Sequence, residues 1–204
     1  MKIIVIGANG TIGRAVAGVL GEKGHEVVPV GTLRGEIRVD IGSMDSVREM
    51  YEKAWPFDGL ICVAGSAYAG PLDTMGPAEF YKGIHSKLMG QVNLVTLGTG
   101  FIRPNGFFTL TSGNLAEEPK PHSAGLGLVN GALNGFVLNA ALDLREGVRL
   151  NVVSPSVVAE SAHKYGPLTG REPITVNEVA AAYLTTVESS FTGQIIRAYG
   201  QPVR

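Results

Sequence analysis

Residues 2–13 constrain this chain more than any other stretch. Lys2-Ile3-Ile4-Val5-Ile6 is a short apolar run, and it leads into Gly7-Ala8-Asn9-Gly10-Thr11-Ile12-Gly13 and then into an amphipathic helical pattern. A glycine triplet spaced G-x-x-G-x-x-G between a strand and a helix is how a chain builds a site for a dinucleotide pyrophosphate. Gly7 permits a tight turn out of the strand. Gly10 has no Cβ to block close approach of phosphates, and Gly13 lets the helix lie close on the sheet. The helix N-terminus then presents free N–H groups and a partial positive charge to the anion. The alternative reading is a glycine turn kept for packing alone.

The rest of the chain alternates strand and helix. Strands are predicted at Lys2–Ile6, Glu26–Val30, Ile37–Val39, Gly59–Val63, Gly106–Thr111, Arg149–Ser154 and Gln194–Tyr199, mostly as short β-branched runs with little polar alternation. Helices are predicted at Ile12–Glu22, Met44–Trp55, Pro77–Leu97, Ala124–Arg145 and Val176–Ser189. Ser43 is placed to cap the second, Pro77 suits a first helical turn, and Thr175 with Glu178 forms a capping box for the last. This order predicts an α/β fold: a single doubly wound domain over residues 1–204, with a seven-stranded, mainly parallel sheet and helices on both faces. Only 17% of the residues are charged, against roughly 25% in ordinary soluble chains. That low share fits strands buried on both sides. Asn114–Ser123 and Pro155–Arg171 are longer and less regular. Both follow strand C-termini, where open α/β sheets bind ligands, and are expected to form the wall and lid of a site.

Composition narrows the partners. A net charge of −1 gives no reason to expect nucleic acid or an anionic membrane. No apolar run reaches the roughly 18 residues of a membrane span, and no secretory leader pattern opens the sequence. Cys62 is the single cysteine and lies in an apolar strand, so it is expected to be buried and inert, in a cytoplasmic protein. The four histidines are scattered without metal-ligand spacing, and no metal is expected.

Taken in order, the motifs resemble those of the short-chain dehydrogenase/reductase family over nearly the whole length. Gly7 to Gly13 resembles the family's nucleotide turn. Val39-Asp40-Ile41 is similar to the acidic residue after the third strand, which in the family faces adenine. Cys62-Val63-Ala64-Gly65 stands where the family has Asn-Asn-Ala-Gly. Leu110-Thr111-Ser112 resembles the strand end carrying the catalytic serine, Asn151-Val152-Val153-Ser154-Pro155 the strand and proline beside the nicotinamide, and Thr192-Gly193-Gln194 the start of the last strand. The resemblance implies a nicotinamide dinucleotide held by Gly7, Asn9, Gly10, Thr11, Ile12, Gly13, Asp40, Ile41, Ala64, Gly65, Pro155 and Val157. The second strand ends in Val30-Gly31-Thr32-Leu33-Arg34, with no acid to bind both ribose hydroxyls. Thr32 and Arg34 instead suit a 2′-phosphate, so NADP is expected ahead of NAD; the alternative for Arg34 is a solvated loop cation. The family pairs its fourth and fifth helices across a two-fold axis. The corresponding helices here are long, apolar and rich in small residues, which implies a homodimer or homotetramer.

The sequence departs from the family where the chemistry is done. The family's proton donor is a tyrosine with a lysine four residues later, and this chain has that pair in no register. In the alignment Leu126 falls at the tyrosine and Asn130 at the lysine. Conversely, Lys87 stands where the family's fourth helix carries an asparagine. An exchange of roles between Lys87 and Asn130 is one reading; the other is an exposed helix cation and a packed polar residue. Ser156 replaces a glycine and Glu160 a threonine near the nicotinamide, and a carboxylate there would repel a diphosphate unless turned away. His122 and Tyr165 are further acid–base candidates, while His163 reads as loop surface and His85 as a helix residue placed for a subunit contact. The catalytic set implied is Ser112, Lys87 and Asn130, acting on a small carbonyl or alcohol by a modified proton-transfer route. A dinucleotide-binding sensor or scaffold without turnover is the competing function.

Overall fold

A computed structural model describes residues 1–164 and 171–202. Residues 165–170 of the expected lid, Tyr165 among them, lie outside the described residues. The elements are β1 (Lys2–Ile6), α1 (Thr11–Glu22), β2 (Glu26–Gly31), β3 (Ile37–Arg38), α2 (Met44–Ala54), β4 (Phe57–Cys62), α3 (Pro77–Gly83), a π-helical segment (Ile84–Met89), α4 (Gly90–Gly98), β5 (Ile102–Thr111), α5 (Ala124–Ala140), β6 (Arg149–Pro155), α6 (Val176–Glu188) and β7 (Ile195–Ala198). The seven strands form one sheet in the order β3-β2-β1-β4-β5-β6-β7, and every pair in it is parallel.

Alternate residues of each strand enter two separate cores. Ile4 and Ile6 pack on one face with Met50, Tyr51, Leu94 and Leu133, which come from α2, α4 and α5. Ile3 and Val5 pack on the other with Val16, Leu20, Val179 and Tyr183 from α1 and α6. Burial on both sides is why the strands read as continuous apolar runs. The helix starts follow the expected chemistry: Ser43 Oγ accepts from Ser46 N, Pro77 opens α3, and Thr175 and Glu178 form a reciprocal box.

Two predicted helices differ from those observed. Residues 77–98 contain three joined segments rather than one α-helix, because the backbone widens to π geometry over Ile84–Met89. The fifth helix stops at Ala140 instead of Arg145. Beyond it, Glu146 and Gly147 take positive φ (55° and 71°), which turns the chain back into β6.

The sheet order reverses at β1. The chain first winds outward through β2 and β3, then returns past β1 to β4. The loops after β1 and β4 therefore leave a crevice between them at their C-terminal ends, where such sheets bind ligands.

Candidate active site

The crevice is a cleft of about 380 Å³. One wall is the glycine turn. Gly7 has φ +83°, and a Cβ there would sit 2.6 Å from Val63 O, so the turn and the β4 loop touch through backbone alone. Gly10 is the N-cap of α1 and offers no side-chain acceptor. The first-turn N–H groups of α1 consequently meet the cleft uncapped. Gly10, Thr11, Ile12 and Gly13 all line it, as do Ala64, Gly65, Pro155 and Val157. Gly7, Asn9, Thr32, Arg34, Asp40 and Ile41 do not. Gly7 opens the turn and packs against the Val63 backbone. Thr32 and Arg34 are exposed on the loop after β2, and Arg34 has no ion pair among the described residues. Asp40 Oδ1 accepts from Gly42 N at 2.9 Å, so its own turn orients the carboxylate. The Ile41 side chain is core, packed where α4 begins at Gly90.

At the other end of the cleft, Lys87, Ser112 and Asn130 come together. Lys87 Nζ donates to Asn130 Oδ1 at 2.7 Å and to Ser112 O at 2.8 Å. The lysine leaves the π-helical segment, a geometry that recurs at functional sites. Gly65 brings the segment close: its φ is +116°, and a Cβ there would lie 2.8 Å from Lys87 Cα. Asn130 is 2% exposed, and Ser112 Oγ is buried with no partner among the described residues. Burial lowers the Lys87 ammonium to about 8. An amine in that range exchanges a proton near neutral pH, which an exposed lysine does poorly. Lys87 is the single ionisable side chain among the described residues lining the cleft. Leu126, which the resemblance sets at the family's tyrosine, also lines it.

The remaining acid–base candidates stand apart. His122 is exposed at φ 63° and His163 is exposed; neither lines the cleft. His85 is exposed against the Tyr81 ring. Burial pushes the Cys62 thiol up to about 12, which makes it unreactive. The two departures from the family pattern after Pro155 are absorbed locally. Ser156 Oγ accepts from Gly200 N at 3.2 Å. The Glu160 carboxylate accepts from Val176 N at 3.1 Å, at the start of α6, which turns its charge away from the cleft.

The loop after β5 is clamped down by charge. Arg197 pairs with Glu117 at 2.6 Å, and Arg171 pairs with Glu118, which also accepts from Asn114 Nδ2 at 3.1 Å. Asn114 and Leu115 form the cleft wall as a result. The sequence places Asn114–Ser123 in the wall of a site, but neither the ion pairs that hold this stretch nor Gln91, which bonds both Lys87 and Thr111, is marked by it. A glutamine inside the apolar run Leu88-Met89-Gly90-Gln91-Val92 was the available signal.

A family described as Enoyl-(Acyl carrier protein) reductase matches residues 7–170. Protein lin1944 of Listeria innocua is 39% identical with a TM-score of 0.92; the match covers 98% of this chain and 100% of that one. A small-chain dehydrogenase in complex with NADPH has a TM-score of 0.86 at 24% identity, covering 97% and 95% of the two chains, and supports the fold. The 3-amino-tetrahydro-pyrrolizinone reductase of Xenorhabdus hominickii is 24% identical over 197 residues, covering 87% of this chain. The chain spans 66% of the length of that relative. The match over residues 7–170 and the full-length likeness in structure agree with the motif order read along the strands, and this chain belongs to the short-chain dehydrogenase/reductase family of oxidoreductases.

Proposed function

We propose that this chain is an NADP-dependent oxidoreductase that reduces a small carbonyl compound, or oxidises the corresponding alcohol, with Lys87 in the role the family gives to tyrosine. The observation that carries this reading is the Lys87 ammonium held inside the cleft by Asn130 Oδ1 and Ser112 O. The cleft suits a dinucleotide: uncapped N–H groups at α1 face it, the Glu160 charge is turned away, and the unpartnered Ser112 Oγ is buried at its far end. NADPH, when bound, supplies hydride to the carbonyl carbon. The Lys87 ammonium spends two N–H groups on Asn130 and Ser112 O, and the third is left to donate to the substrate oxygen. Proton transfer from Nζ then yields the alcohol and a neutral amine, which solvent reprotonates. Ser112 Oγ–H adds a second donor to the same oxygen. Asn130 accepts from the ammonium, and so orients it.

The test is NADPH oxidation by purified protein against a panel of small aldehydes and ketones. Turnover should fall as pH rises through about 8, because the donor must be protonated. Leu126 at the tyrosine position favours a second reading, a dinucleotide-binding protein without turnover; NADPH binding with no oxidation across the panel would establish it.

Cofactor choice rests on Arg34, an exposed cation with no ion pair among the described residues, at the end of a strand that lacks an acid. Arg34→Ala should weaken NADPH by roughly tenfold or more, the worth of a charge-assisted hydrogen bond, and leave NADH nearly unchanged. Calorimetric titration with both cofactors reads the difference, and equal losses would make Arg34 a surface residue. The protein should also assemble as a homodimer or homotetramer. Leu128, Leu138 and Leu142 are exposed on and just beyond α5, an apolar face that a symmetric partner would cover. Light scattering at micromolar concentration checks this, and a monomer would contradict it. No helix among the described residues is long and apolar enough to cross a membrane.

A further inference from the structure

The Lys87 site forms where two segments meet: the π-helical turn that carries the lysine and the end of β5 that carries Ser112. Strand pairing does not join them. The register of β4 with β5 runs to Ile61↔Thr109, and β4 ends at Cys62. Thr111 thus lies past the last paired residue on that side of β5. On the other side, Ser112 N donates to Val153 O at 2.9 Å.

The Gln91 side chain occupies the missing strand position. Its Oε1 accepts from Thr111 N at 2.8 Å, and its Nε2 donates to Thr111 O at 2.9 Å. A neighbouring strand satisfies backbone N–H and C=O groups in the same manner. The same Nε2 donates to Lys87 O, one turn back on its own helix, at 3.3 Å. Gln91 is fully buried. An amide so placed is costly unless every polar atom is used, and here both are.

We propose that Gln91 is a positioning residue: its amide ties the Lys87 turn to the end of β5 and sets the spacing among the Lys87 ammonium, Ser112 and Asn130. A leucine of similar volume would fill the space. It would also release Thr111 N–H and C=O, and with them the Ser112 carbonyl that accepts from Lys87. The proposal deepens the reading of Lys87 as proton donor and rests on it.

The experiment reads Lys87 directly, without cofactor or substrate. The full chain is acetylated with trace acetic anhydride at pH values from about 6 to about 11, a range spanning the ordinary lysine titration, and the Lys87 peptide is quantified by mass spectrometry. The wild-type midpoint should lie near 8. Gln91→Leu and Gln91→Met should each raise it by about one unit, because a loosened turn resolvates the ammonium. Met keeps the unbranched shape of Gln91 and adds no charge, so it serves if the leucine variant fails to fold. Asn93→Leu is the control: it removes another buried amide of α4, bonded to Ile41 O at 3.3 Å, and should lower the melting temperature without moving the midpoint. An unmoved midpoint in the Gln91 variants would overturn the proposal, as would an equal shift in Asn93→Leu. Failure of the oxidoreductase reading would appear separately, as absence of NADPH oxidation by the wild-type protein.

Discussion

Gly10→Asp should abolish NADPH binding and leave the chain folded. The structure separates the two effects. A Cβ at Gly10 meets nothing nearer than Gly7 O at 3.2 Å, so the backbone tolerates a side chain with a small adjustment. The new carboxylate would stand at the N-terminus of α1, where the pyrophosphate is expected. Two like charges about 4 Å apart repel by roughly 4 kcal/mol at an effective dielectric near 20, close to a thousandfold in affinity. Gly13→Ala is the contrasting case. Its Cβ would be driven into the Gly7 carbonyl, so the turn itself must move and the melting temperature should fall as well. Fluorescence titration with NADPH and thermal melts on both variants check this pair of outcomes. Normal binding by folded Gly10→Asp would remove the site from the glycine turn.

Lys87→Ala should weaken NADPH binding by roughly 10- to 100-fold, because before substrate enters the third N–H of the ammonium is left for a charge-assisted hydrogen bond to the cofactor of about 1.5–3 kcal/mol. Turnover should fall further, because the ammonium is the proton source proposed for the cleft. The variant also leaves Asn130 Oδ1 and Ser112 O without their shared donor. Because Lys87 and Asn130 already touch, exchanging them is a local change. Lys87→Asn with Asn130→Lys should recover part of the binding loss by returning a positive charge to the same space from α5. Addition of Leu126→Tyr would restore the family's tyrosine and lysine four residues apart, and should bring back turnover by the ordinary family route. Binding isotherms and NADPH oxidation rates for the three variants read these steps. Wild-type affinity and turnover in Lys87→Ala would show that the cation serves packing alone.

Much of the fold is legible in the sequence because the signals behind it are local. The β-branched runs, the glycine turn, Ser43, Pro77 and the Thr175–Glu178 box act within a few residues of themselves, and the elements they mark appear at those positions. That Ser112 and the glycine turn line one cleft follows from strand order. The sequence has no tyrosine with a lysine four residues on, and the resemblance to the family sets Lys87 and Asn130 in each other's usual places. It did not determine which way Lys87 points. That depends on the π-helical widening over Ile84–Met89, on backbone contact with Gly65, and on a carbonyl and an amide 25 and 43 residues away. Along the sequence the charge of Glu160 threatens a diphosphate, and only the tertiary structure shows it accepting from the start of α6. Gln91 is the clearest case. Along the chain it is one polar residue in an apolar helix; its role depends on β4 ending before β5 does, a difference in strand length set by packing across the whole sheet. Local propensity specifies where elements start and stop. The donors and acceptors that meet at the cleft belong to segments far apart in sequence, so their pairing is decided only when the sheet and its helices close around them.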